Sequence, residues 1–171
     1  MVLLRYSIVV LLIGCGVARF AIAQARLPER DAEISRSVMA ALHQQHILPA
    51  PMPSDFEEAV VERYLRRLDP RKMYFHQTDV DRFQRNAKDL GRQLRHGDLS
   101  WMDDVLTVYR QRVRQYDDIA RNFADAELDF TIDESINLDF ENMPFSISVV
   151  ESQDRWRKWT KYELLACRLP G

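Results

Sequence analysis

Glycine is the residue this chain uses least, and its scarcity limits what the backbone can build. Only five occur in 171 residues, at 14, 16, 91, 97 and 171. A phosphate-cradling loop, a dinucleotide-binding turn and a glycine-flanked nucleophile elbow each need glycines set close together where backbone must approach a ligand or turn sharply. The spacing here provides none of them. Few β-branched runs occur, and apolar residues recur mostly at three and four positions, so helices are expected rather than sheets. The formal charge of −2 argues against a nucleic-acid binder that works through bulk positive charge.

Five helices are expected. Over residues 30–47, Ile34, Val38 and Leu42 form one apolar stripe at i, i+4 and i+8, and Pro49, Pro51 and Pro53 follow as an extended linker. Ser54-Asp55-Phe56-Glu57 has the form of a capping box and opens a helix with Phe56, Val60, Tyr64 and Leu68 on one face, stopped at Asp69-Pro70. A third helix begins at Thr78 or Asp79, buries Val80, Phe83, Ala87, Leu90 and Leu94, and ends at Gly97 in a left-handed conformation. Ser100 is expected to cap the longest helix, about 101–126, with Val105, Val108, Tyr109, Tyr116, Ile119 and Phe123 inward. Between 128 and 150 the helical period fades: Phe130, Ile132, Ile136, Leu138 and Phe140 roughly alternate, which points to an extended segment laid across the helices. Ser152 then caps a last helix carrying Trp156, Trp159, Leu164 and Leu165. The fold class is all-α, about five helices in an irregular bundle with one extended segment near 128–150.

Residues 1–25 have the form of a signal peptide: Arg5, an apolar run from Ile8 to Ile13, and the small-residue endings Ala21-Ile22-Ala23 or Ala23-Gln24-Ala25. Arg19 interrupts the run before it reaches membrane-spanning length. The mature chain is then 26–171, exported to the periplasm. Leu12-Ile13-Gly14-Cys15 also resembles a lipobox, and contact with a membrane is expected only if Cys15 carries lipid.

Candidate chemistry is sparse. Cys15 and Cys167 are the two cysteines, so a processed chain keeps one thiol; all four histidines lie far from Cys167 in sequence, and it is expected to be a small buried apolar residue. His43 and His46 sit three apart on a helix, but no cysteine or carboxylate cluster completes a metal site, so neither metal nor cofactor is expected. Basic residues are mostly arginine, with lysine only at 72, 88, 158 and 161. Arg110, Arg112 and Arg114 alternate, spread over more than one helix face and so make no phosphate stripe; they suit a solvated charged helix. The pairs Asp103-Asp104 and Asp117-Asp118, and Asp125 with Glu127, have no histidine nearby for general acid–base work. Trp156-Arg157-Lys158-Trp159 is the run most suited to contact: its two indoles either pack inward or form a docking face for a protein partner.

Tyr64-Leu65-Arg66-Arg67-Leu68-Asp69-Pro70, then Tyr74-Phe75, then Asp79-Val80-Asp81-Arg82-Phe83, resembles the helical N-terminal region of the bacterial tail-specific proteases, the long periplasmic type of carboxy-terminal processing peptidase. The similarity continues through Asp89-Leu90-Gly91-Arg92-Gln93-Leu94-Arg95-His96-Gly97, Leu128-Asp129-Phe130-Thr131 and Glu134 to Asp139. It closes on Trp156 to Leu165, and so covers about residues 28–171. The stretch Asn142–Ser152 and the end Ala166–Gly171 have less of the family pattern.

The resemblance implies an N-terminal domain that elsewhere precedes a PDZ domain and a protease core with a catalytic serine and lysine. No position here matches the family's nucleophile or base, so no catalytic residue is carried over and the chain by itself is not expected to be an enzyme. Its implied role is scaffolding, or docking of substrate or adaptor for C-terminal processing, with Trp156 and Trp159 as docking candidates. The implied partners are another protein or the remaining protease domains. The alternative is a standalone exported helical interaction protein.

Overall fold

The computed structural model describes residues 28–45, 47, 53–125 and 128–167. Among them are six helices: α1 (Pro28–Gln44), α2 (Phe56–Leu68), α3 (Gln77–Asn86), α4 (Leu90–His96), α5 (Ser100–Asp125) and α6 (Val149–Ala166). Helix α1 lies against α4, α2 touches α3 and α4, α3 packs on α5, and α5 carries α6 along its other side. The all-α expectation holds.

The third and fourth helices replace a single expected helix over 78–97. The break lies at Ala87-Lys88-Asp89, where the backbone stays near-helical (φ −87°, ψ 3° at Ala87) and the Leu90 N–H donates to the Ala87 carbonyl at 3.0 Å. Because that turn nearly preserves the helical repeat, Val80, Phe83, Ala87, Leu90 and Leu94 all still reach the core. Apolar spacing alone therefore does not reveal the break. Gly97 ends α4 with φ 75°, and the Asp98 N–H reaches back to the Gln93 carbonyl at 2.9 Å. A Cβ there would stand 2.7 Å from the Ala32 carbonyl oxygen, so this glycine also lets α1 come close.

Helix α1 is turned relative to the expected stripe. Ile34 and Val38 are each half exposed, whereas Met39 is buried and the Ser35 hydroxyl donates to the Leu94 carbonyl at 2.8 Å. One residue of helix is about 100° of rotation, and the small side chains at 32 and 35 give α4 a closer seat than two branched ones would.

Three expected caps are displaced. Helix α2 starts at Phe56 with Asp55 before it and no side-chain cap, so Ser54 is not the cap. Ser100 is itself the first residue of α5, and its N–H donates to the Asp98 carboxylate at 3.0 Å. At α6 the Ser148 hydroxyl accepts from the Glu151 N–H at 3.1 Å, and the Glu151 carboxylate takes the Ile147 N–H at 2.9 Å. Ser152, expected to cap, is fully buried one turn further in.

The core joins Val61 and Leu65 of α2, Phe75, Val80 and Phe83, Leu90 and Leu94, and Trp101, Val105 and Val108 of α5. Trp101 fits because its indole N–H donates to the Phe83 carbonyl at 3.0 Å while its ring lies edge-on to Phe83. Residues 128–148 form no strand, as expected of an irregular extended segment; the ladder contact recorded there is one parallel bridge between His76 and Ser146.

Candidate functional site

The α6 helix and the segment before it hold most of the side chains whose chemistry could matter. Their seat is the turn after α2. Asp69 is buried, and its carboxylate accepts the N–H groups of Met73, Tyr74 and Phe75 at 2.8–2.9 Å. Burial pushes this carboxyl above the ordinary range, against the pull of those three donors and of Arg155. Lys72, at φ 51°, turns its ammonium onto the Glu141 and Met143 carbonyls at 2.8 and 2.6 Å. The sequence showed Asp69-Pro70 only as a helix stop. The available signal was a carboxylate set just before the apolar run Met73-Tyr74-Phe75, whose loop N–H groups need an acceptor.

Onto this turn α6 docks by two side chains. Arg155 donates to the Lys72 carbonyl at 2.8 Å, and the Trp156 indole N–H donates to the Met73 carbonyl at 2.9 Å. The Trp156 ring stacks on Tyr116 (5.6 Å, 17°) and meets Tyr74 edge-on at 5.5 Å. Burial beside Tyr74 pushes the neighbouring Tyr109 phenol up to about 12. Trp159 lies one turn on at the outer edge: the Arg71 guanidinium covers its ring at 4.6 Å, with Phe140 and Tyr162 alongside. The two tryptophans thus share a helix side but have different neighbours, one inside an aromatic layer and one at its rim.

Residues 128–146 are held to α6 by charge. Arg157 meets the Glu134 carboxylate with both terminal nitrogens, Nη1 at 2.9 Å. Lys161, buried, also binds Glu134 and donates to the Asp129 carbonyl at 2.6 Å. These two cations hold the Glu134 carboxyl at about 2, well below its usual 4.5. Arg112 departs from the solvated reading given to its stretch: it is largely buried and bidentate to Asp79 at 2.9 and 3.0 Å.

Two buried polar pairs have a makeup reminiscent of hydrolytic chemistry. His76 Nε2 lies 2.6 Å from the Tyr116 hydroxyl, and the Ser146 and Ser152 hydroxyls are in contact. Yet Ser146 is 0% and Ser152 1% exposed, so neither oxygen can meet a substrate in this conformation. A cleft of about 420 Å³ between α1, α2 and the α4–α5 turn presents Asp31, Tyr64, Asp98 and Asp103, and no histidine lines it.

His43 is partly buried on α1, while His46 lies outside the described residues. Among the described residues no group of three His, Cys, Asp or Glu could hold a metal ion. Cys167, expected to be buried, is exposed at the end of α6, where the helix has run past the core. The signal-peptide reading and Cys15 fall outside the described residues; among the described helices none is long and apolar enough to cross a membrane.

A family model described as the tail specific protease N-terminal domain matches residues 38–170. This chain belongs to that family. The match spans α2 to α6 and the last turns of α1, so the Asp69 turn, the Glu134 ion cluster and the aromatic layer all lie within the tail-specific protease N-terminal domain. The tail-specific protease of Haemophilus influenzae (strain ATCC 51907 / DSM 11121 / KW20 / Rd) is 25% identical over 144 residues, which is 84% of this chain and 21% of that protein. The chain thus spans about a fifth of the length of that curated relative.

Proposed function

We propose that this chain is a non-catalytic scaffold of a periplasmic tail-specific protease, docking substrate, an adaptor or the protease's other domains. The observation that carries the proposal is the use made of its hydroxyls and cations. Within a domain of this family, the Ser146–Ser152 and His76–Tyr116 pairs are sealed in the interior, while Lys161 is committed to Glu134 and a backbone carbonyl. A working nucleophile needs access to substrate and an oriented base, and this arrangement favours a structural role.

The docking face is assigned to the rim of α6. Trp159 and Tyr162 are its aromatic part, with Trp156 anchoring the helix to the body, and the exposed Ile147, Val149 and Val150 are a second apolar group at the amino end of α6. Exposed apolar side chains gathered on one element favour a partner surface over a solvated one. Residues 1–25 would direct the chain to the periplasm as a signal peptide.

The test adds the purified chain to a tail-specific protease lacking the matching N-terminal segment and measures co-migration and C-terminal processing. Stable co-migration and improved processing, both reduced by Val150→Asp with Trp159→Ser, are expected. Cleavage of unfolded proteins by the chain itself, abolished by a single serine substitution, would overturn the proposal. So would the absence of any association.

A further inference from the structure

The cleft between α1, α2 and the α4–α5 turn has a neighbour on α2. Val60, Arg63, Tyr64 and Arg67 share one helix face there and line a shallow hollow of about 380 Å³. Tyr64 is the one residue common to the two hollows, and the Trp101 ring backs it from the core at 5.5 Å.

The two sides of Tyr64 carry opposite charge. The cleft side presents Asp98 and Asp103, both exposed, with Asp31 beside them. Asp98 stays ionised at neutral pH, because the Ser100 N–H it accepts holds its carboxyl below the ordinary range. The α2 side presents Arg63 and Arg67, which are exposed and make no ion pair among the described residues. Between the charges lie Val60, Tyr64, Leu99 and Met102, each half-buried with its inner side against the core. An apolar strip with a charged border is the composition of a contact surface.

The order of the charges names the occupant. A partner must set carboxylates against Arg63 and Arg67 and, across the apolar strip, cations against Asp98 and Asp103. A uniformly acidic or basic surface would satisfy one side and be repelled by the other. This same face does satisfy both, once turned by 180° about an axis that passes beside Tyr64, between the two charge groups. Each copy's arginines then meet the other's carboxylates, and the match is made twice. We propose that the Tyr64 face is the isologous contact of a homodimer, with Arg63 and Arg67 of each copy paired to Asp98 and Asp103 of the other. None of these residues belongs to α6, so the inference does not rest on the docking role proposed for that helix.

Sedimentation of the purified chain over a concentration series tests it. A monomer–dimer equilibrium that weakens with added salt is expected. Arg63→Glu with Arg67→Glu should weaken it by about tenfold or more, and so should Asp98→Asn with Asp103→Arg, which keeps a capping side chain at 98. An equal mixture of the two double variants should associate more tightly than either alone, since a reversed charge on one copy then faces a compatible one on the other. Val150→Asp with Trp159→Ser, on the α6 rim, should leave the dimer intact. If a double variant fails to fold, amide shifts of the parent chain on dilution replace it, and they should centre on 60–67 and 98–103. A monomeric parent chain, a dimer indifferent to both double variants, a mixture no tighter than its parts, or dilution shifts centred elsewhere would overturn the proposal. So would a face that becomes protected only when the other domains of a tail-specific protease are added, which would assign it to them.

Discussion

The body from α2 to α5 and the strap of residues 128–148 with α6 are built on different physics. In the body, apolar residues at helical spacing meet in one core, and Phe75, Phe83, Leu90 and Val105 are each fully buried. In the strap, Ile132 and Leu138 are about half exposed, and the segment is held by Glu134, Lys161, Arg157 and Lys72 acting on carboxylates and carbonyls. Apolar burial is non-directional and tolerates small displacements. A bidentate ion pair holds a segment only in one geometry and yields to water and pH. The body should therefore govern the stability of the whole domain, and the strap should open locally.

Phe83→Ala is expected to have the largest effect. Removing a fully buried ring that meets Phe75 and Trp101 costs about 3–5 kcal/mol, read by thermal melting, with body and strap unfolding together. A strap that stayed folded after the body melted would break the distinction. Arg112→Met comes next: it leaves the largely buried Asp79 carboxylate without its cation, at a cost of about 3 kcal/mol. Denaturant midpoints at neutral pH would measure that, and a neutral result would move the pair into the solvated class.

The two tryptophans sharpen the boundary between the regions. Trp156→Ser loses the Tyr116 stack and the Met73 hydrogen bond and should cost about 3 kcal/mol. Trp159→Ser, at the rim, should cost about 1 kcal/mol. Equal losses in the melting of the two single variants would place Trp159 in the body after all. The smallest effect on global stability is acid titration of the strap. Glu134 is held at about 2 in the folded state against an ordinary 4.5, so its contribution is present above 4.5 and lost as pH falls toward 2. Exchange of amides in 128–140 should rise across that range and lose its pH dependence in Glu134→Gln, with little change in the melting of 83–94.

Legibility follows the same division. The run Val80, Phe83, Ala87, Leu90, Leu94 is buried as its spacing dictates, even though a turn divides it, because one helical period is enough to define a buried face. On α1 the same logic chose Ile34 and Val38, and the structure prefers Ser35 and Met39, because close approach to α4 outweighs the hydrophobicity of either stripe. Serine spacing misassigned three caps: α2 has no side-chain cap, Asp98 two residues before Ser100 takes the N–H that opens α5, and Ser148 caps α6 one turn before Ser152. Of the candidate site, the helical spacing placed Trp156 and Trp159 on one side of α6. Nothing in that spacing said that one indole would be used up on the Met73 carbonyl.

What the sequence determined by itself is the helical class, the core face of α3 to α5, the stop at Gly97 and the family resemblance. All of these depend on residues within a few positions of one another or on the order of short motifs. What only the tertiary structure decided is the pairing of polar groups far apart in the chain: Asp79 with Arg112, Glu134 with Arg157 and Lys161, and His76 with Tyr116. A charge or an imidazole has no periodicity that names its partner. Its role depends on which groups surround it and how much water they exclude, and those are properties of the folded chain.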